Sequence, residues 1–102
     1  MRRGVAFIAL DGKELLRKAY EFCLKVRDRG VKSDWFSGVS LRSDLRKADK
    51  LGYSEVVVVG EDEIKAGKYV IKDMAYGLPD GVVDEKDLVD VLVETYERPI
   101  VV

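Results

Sequence analysis

The sequence predicts an α/β domain of three layers: a five-stranded mixed sheet, three parallel strands plus an antiparallel edge, with three main helices. Three observations carry this expectation. Residues 4–10 and 55–60 are short, unbroken apolar runs of the kind found in strands buried on both faces. Strand and helix signals alternate from residue 4 to residue 60, and that order implies right-handed crossovers and a parallel sheet. After residue 60 the pattern changes to two short strand signals separated by a glycine-rich turn, which suits an antiparallel addition at the sheet edge. At 102 residues the chain fits one domain, residues 1–102.

The elements follow in order. Val5 to Leu10 superficially mimics the apolar part of a secretory signal, but no small-residue cleavage site precedes Asp11 and Lys13, so a buried strand is the expected reading. Asp11-Gly12 ends it. From Lys13 to Arg29, Leu16, Ala19, Tyr20, Cys23 and Val26 recur at helical spacing, and Gly30 stands where a C-terminal helix glycine belongs. Glu14 with Lys18 and Glu21 with Lys25 are favourable i,i+4 pairs. Residues 31–36 read as a second strand. Ser40 is the N-cap candidate for a helix running to about Leu51, with Leu41, Leu45, Ala48 and Leu51 as its apolar stripe. The four valines of residues 56–59 mark the third strand. Residues 61–67 have room only for a turn or a short helical segment. Residues 68–74 place Tyr69 and Ile71 on one face and Val70 and Met74 on the other. Gly77 to Gly81 is a turn, and Val82-Val83 is a brief strand. Asp84 with Asp87 then opens a helix that buries Leu88, Val91, Leu92 and Thr95 or Tyr96.

Composition excludes several function classes. Histidine is absent, which removes the commonest general base and the commonest metal ligand, and with one cysteine a zinc site is excluded. No cofactor and no catalytic residue are expected. A single cysteine, Cys23, allows no internal disulfide and suits a reducing compartment, so a cytoplasmic location is expected. No stretch approaches the roughly 18 apolar residues of a membrane span. The net charge of −1 hides an asymmetry. Residues 1–50 hold 13 Lys plus Arg against 7 Asp plus Glu, whereas residues 51–102 hold 5 against 12.

Two constellations point to chemistry. Arg42, Arg46 and Lys50 lie at i, i+4 and i+8, so one helix carries a basic ridge suited to phosphates, with Ser37 and Ser40 nearby. Trp35-Phe36 closes the second strand, where an exposed ring could stack on an unpaired base, because ligands favour the C-terminal ends of parallel strands. Trp35 is the expected stacking ring. The acidic run Glu61, Asp62, Glu63 reads as a helix first turn rather than a metal site.

Residues 41–73 contain Ala48-Asp49-Lys50-Leu51-Gly52, then Gly60-Glu61-Asp62-Glu63 and Ile71-Lys72-Asp73, and in these motifs the sequence resembles the anticodon-binding domain of class II aminoacyl-tRNA synthetases, most nearly the C-terminal domain of histidyl-tRNA synthetase. The first two motifs match the family pattern, and the third matches it approximately. The resemblance implies a module that holds tRNA or another structured RNA, without the domain that carries out aminoacylation. The sequence departs from the family's Gly-Arg-Ser-Leu-Gly-Lys-Gln-Leu, which here reads Gly38-Val39-Ser40-Leu41-Arg42-Ser43-Asp44-Leu45. That departure keeps an alternative in view: a protein-interaction or dimerisation module of the same fold, whose partner would be a second copy or a synthetase-like chain.

Overall fold

A computed structural model describes residues 3–38 and 40–97; Arg2 and Val39 lie outside the described residues. The chain forms β1 (Val5–Ala9), α1 (Lys13–Asp28), β2 (Ser33–Phe36), α2 (Leu41–Lys50), β3 (Glu55–Val59), α3 (Glu61–Ala66), β4 (Lys68–Asp73), β5 (Gly81–Asp84) and α4 (Glu85–Glu97). The sheet order is β2-β1-β3-β4-β5. β1 pairs in parallel with both β2 and β3, and β4 and β5 add antiparallel. This is the expected three-layer mixed sheet. Every residue of β1 is buried, because α1 and α4 cover one face and α2 the other.

The larger core lies under α1 and α4, where Phe7 stacks on Phe22 and Tyr69 meets Phe22 edge-on, with ring centroids 5.8 and 5.1 Å apart. The smaller core, under α2, gathers Ala6, Ile8, Ala48, Tyr53 and Val56. Alternation along β4 sorts its side chains as expected, with Tyr69 and Ile71 entering the larger core and Val70 facing away.

Two apolar stripes differ from expectation. The buried side of α1 is Leu15, Ala19, Phe22, Cys23 and Val26, while Leu16 and Tyr20 are exposed on its flank. A helix laid across a twisted sheet buries more than one narrow stripe, and here the centre of that face sits one residue earlier. In α2 the buried residues are Asp44 and Ala48; Leu45 is half-buried, and Leu41 and Leu51 are exposed. A ten-residue helix at the rim of the sheet reaches the core only through its middle turn. The helix ends behave as the sequence suggests. The Ser40 hydroxyl accepts the Ser43 N–H at 3.1 Å, and Gly30 follows the α1 C-cap with φ +85°. Lys18, expected to pair with Glu14, reaches Glu85 of α4 at 2.8 Å instead.

Candidate nucleic-acid interface

The charge asymmetry along the chain acquires a spatial meaning once the helices are placed. α1 packs beside the acidic second half, and three cations on or just after it are paired there or with its own neighbours, while Lys13, Arg17 and Lys25 are exposed with no carboxylate within 4 Å among the described residues. Lys18 pairs with Glu85, Arg29 with Asp90 at 2.9 Å, and Arg27 with Asp34 at 2.6 Å. Lys68 and Lys72 on β4 face Asp84 and Asp80 at 4.0 and 3.7 Å. α2 stands on the opposite face of the sheet, away from α4. Arg42, Arg46 and Lys50 are all exposed on it, and among the described residues no carboxylate lies within 4 Å of any of them. The sequence spacing thus becomes an open row of three cations on the solvent side of a short, rigid helix.

The loop leading into this helix is held by Asp44. Its carboxylate is 5% exposed and accepts the Gly38 N–H at 2.9 Å. A Cβ on Gly38 would lie 2.2 Å from the Asp44 Oδ1, which is why glycine stands there: the backbone must come down onto the carboxylate. Ser37 is exposed in the same loop, and Ser40 is occupied as the N-cap. The family's glutamine-to-aspartate change at position 44 therefore lands on a loop anchor rather than on an exposed contact.

The aromatic pair is split by the pleat of β2, since adjacent strand residues face opposite ways. Trp35 turns to the α1 face, where Tyr20 packs edge-on at 4.8 Å and the Arg27 guanidinium lies 5.5 Å over its ring. It is half-buried. The structure therefore does not bring Trp35 onto the same face as the α2 cations. Phe36 takes that place, half-buried against the smaller core, with Lys47 Nζ 4.9 Å from its ring centroid and Tyr53 at 5.9 Å. Lys32 covers the other aromatic, 4.8 Å from the Tyr53 ring. Burial, and then the Asp34 carboxylate that its hydroxyl donates to, push Tyr53 far above the usual tyrosine range, so it remains a donor. Phe36 and Lys47 were within reach of the sequence: strand alternation puts Phe36 opposite Trp35, and Lys47 is one residue beyond Arg46.

The same face continues past α2 as an open sheet surface. The pairings Phe36–Ile8, Ile8–Val58 and Val70–Val82, with Val58 opposite Val70 one step beyond the Val57–Ile71 pair, make one row across all five strands. α2 covers its first part. Val70 and Val82, 39% and 65% exposed, are left in solvent. The α2 face of the sheet thus carries both the cations of the helix and, beyond it, an exposed apolar strip on β4 and β5.

The family described as "Anticodon binding domain" matches residues 4–95. The histidine–tRNA ligase of Pelobacter propionicus is 34% identical over 87 residues, which is 84% of this chain and 21% of that protein. The histidine–tRNA ligase of Desulforudis audaxviator is 39% identical over 75 residues, covering 72% of this chain and 18% of that protein. The chain thus spans about a fifth of the length of the curated relatives it matches. Among solved structures, apo histidyl-tRNA synthetase of S. aureus superposes with a TM-score of 0.79 at 24% identity, over 89% of this chain and 27% of that one. The RNA binding domain of threonyl-tRNA synthetase from Cryptosporidium parvum superposes at 0.75 with 14% identity, over 93% of this chain and 23% of that one. These two show a shared fold. No helix among the described residues is long and apolar enough to cross a membrane. The family match covers nearly all of the chain, with both halves of the mixed sheet inside it, and the chain belongs to the anticodon binding domain family.

Proposed function

We propose that this domain binds the anticodon stem-loop of a tRNA, or a similar RNA hairpin, on the α2 face of its sheet. The observation that carries the reading is the open cationic row of Arg42, Arg46 and Lys50, standing apart from the acidic half of the molecule. Three cations on one rigid helix can follow a phosphate backbone, and each contact gains from counterion release. The Asp44–Gly38 hydrogen bond holds the β2–α2 loop, with Ser37 on it, beside that row. Phe36 and the valine row offer apolar surface to unpaired bases, since base stacking on a ring contributes about 1–3 kcal/mol. Trp35 lies on the other side of the edge strand, so a loop that wraps round that edge meets Ser37, Phe36 and then Trp35.

The test is a filter-binding titration with bulk tRNA across a salt series, comparing the chain with an Arg42→Gln, Arg46→Gln, Lys50→Gln triple variant. Each lost phosphate contact removes about 0.7–0.9 from the slope of log affinity against log salt, so the triple variant should flatten it by about 2 to 3. Binding that ignores salt, or a triple variant with an unchanged slope, refutes the reading. Sedimentation with and without tRNA adds a second check: the proposal requires the species to shift with RNA. A homodimer indifferent to RNA would favour the interaction module instead.

A further inference from the structure

On the far face of the sheet, at the opposite end from the β2–α2 loop, a cleft of about 500 Å³ opens between β3, β4, β5 and α4. That volume lies within the range of about 300–1,000 Å³ typical of small-molecule sites. Ile71, Val83 and Val91 form part of its apolar wall, and Ala75 lies at its rim. Glu55, the first residue of β3, lines the same cleft. It is 9% exposed, and its Oε1 is fully buried with no hydrogen-bond partner among the described residues.

The other polar groups around Glu55 are already engaged. Asp73 accepts the backbone N–H groups of Ala75, Tyr76 and Leu78 at 3.3, 3.0 and 3.0 Å. The Tyr96 hydroxyl meets the Ser54 hydroxyl at 2.6 Å and donates to the Gly4 carbonyl at 2.9 Å. The Thr95 hydroxyl donates to the Val91 carbonyl at 3.1 Å. The Tyr96 hydroxyl also reaches the Glu55 carboxyl, so that only Glu55 Oε1 is left with an unused acceptor, and among the described residues no Lys or Arg lines the cleft. A buried acceptor without a partner is costly, and such groups in folded proteins nearly always meet a donor from protein, water or ligand. Burial pushes the Glu55 carboxyl above the usual glutamate range; a hydrogen bond with the Tyr96 hydroxyl opposes that shift and the nearby Asp73 charge adds to it.

We propose that this cleft is a binding site for a small organic cation, an ammonium or guanidinium group set against Glu55 with its apolar body between Ile71, Val83 and Val91. The Glu55 carboxylate, with Asp73 beside it, supplies negative charge to the cleft, and the aliphatic wall supplies the area. The site lies apart from the α2 face, so it stands or falls independently of RNA binding.

The test is an amide NMR titration of the 102-residue chain with phenethylammonium, with phenethyl alcohol as the uncharged control. Saturable shifts are expected at residues 54–55, 71–75 and 91–96, with the ammonium bound at least about tenfold more tightly than the alcohol. Glu55→Gln should remove that preference while leaving alcohol binding unchanged. Ala75→Trp, which fills the mouth without touching the carboxyl, should abolish binding of both, and it decides the matter if Glu55→Gln fails to fold. Equal affinity for ammonium and alcohol, shifts confined to other residues, or undiminished binding to Ala75→Trp overturns the proposal.

Discussion

Replacing Gly38 by alanine tests the reasoning about the β2–α2 loop most directly. The new Cβ would sit 2.2 Å from the Asp44 Oδ1, roughly an ångström inside ordinary contact, with Asp44 buried and unable to swing into solvent. Forcing that displacement should cost about 1–3 kcal/mol, the usual range for overpacking. Asp44→Ala removes the obstruction but also deletes a charged acceptor for the Gly38 N–H at 2.9 Å, at a cost of about 1.5–3 kcal/mol. It further removes an acidic residue from the first turn of α2, worth about 0.3–1 kcal/mol against the helix dipole. Each single variant should therefore melt lower. The double variant should melt close to Asp44→Ala alone, because the three nearest atoms to the new Cβ all belong to the Asp44 carboxylate and leave with it. The coupling is favourable by the full clash, about 1–3 kcal/mol, well outside the roughly 0.5 kcal/mol scatter of independent sites. Urea denaturation followed by circular dichroism gives all four corners of the cycle. Additive losses would show that the carboxylate does not dictate glycine at position 38, and the account of the loop would fail.

Four further outcomes follow from the geometry. Phe36→Leu should weaken tRNA binding about tenfold, on the scale of one lost base stack, in a filter assay. Trp35→Leu should weaken it less, because Arg27 and Tyr20 already occupy that ring; the reverse order would place the RNA on the α1 face. Glu55→Gln should raise the melting temperature at neutral pH. The folded state holds the Glu55 proton more tightly than the unfolded chain, so the wild type loses stability as pH rises through its elevated value, and the advantage of Gln should vanish below the ordinary glutamate range; an advantage constant with pH would contradict this. Phe22→Ala empties the space between Phe7 and Tyr69 and should cost about 3–5 kcal/mol, lowering the thermal midpoint by at least about 12 °C for a domain of this size, whereas a shift of only a few degrees would mean the larger core collapses freely.

Much of the fold was legible because its signals are local. The valine run of β3, the unbroken apolar β1 and the Ser40 cap each follow from neighbouring residues alone, and all appear where the sequence puts them. The α1 stripe was read one residue off because Leu15 and Leu16, like Tyr20 and Phe22, offer two overlapping apolar faces; only the packing partner chooses between them. Asp44 is the opposite case. An aspartate in the first turn of a helix looks like surface, and nothing local reveals that a glycine six residues earlier will bring its N–H onto it. Glu55 did carry a signal, a carboxylate opening a strand of four valines that must be covered on both faces, but its isolation becomes visible only when α4 closes over it.

The linear sequence by itself settled the order and kind of the elements, the lack of histidine chemistry, and the three cations spaced along one helix. Tertiary structure decided that Lys18 and Arg29 are paired with α4 while the α2 row stays open, because ion pairing depends on what stands opposite: α1 lies against the acidic half, and α2 lies across the sheet from it. It also decided that Trp35 and Phe36 part company, since a strand's neighbours face opposite sides and only the assembled layers determine which helix each side meets.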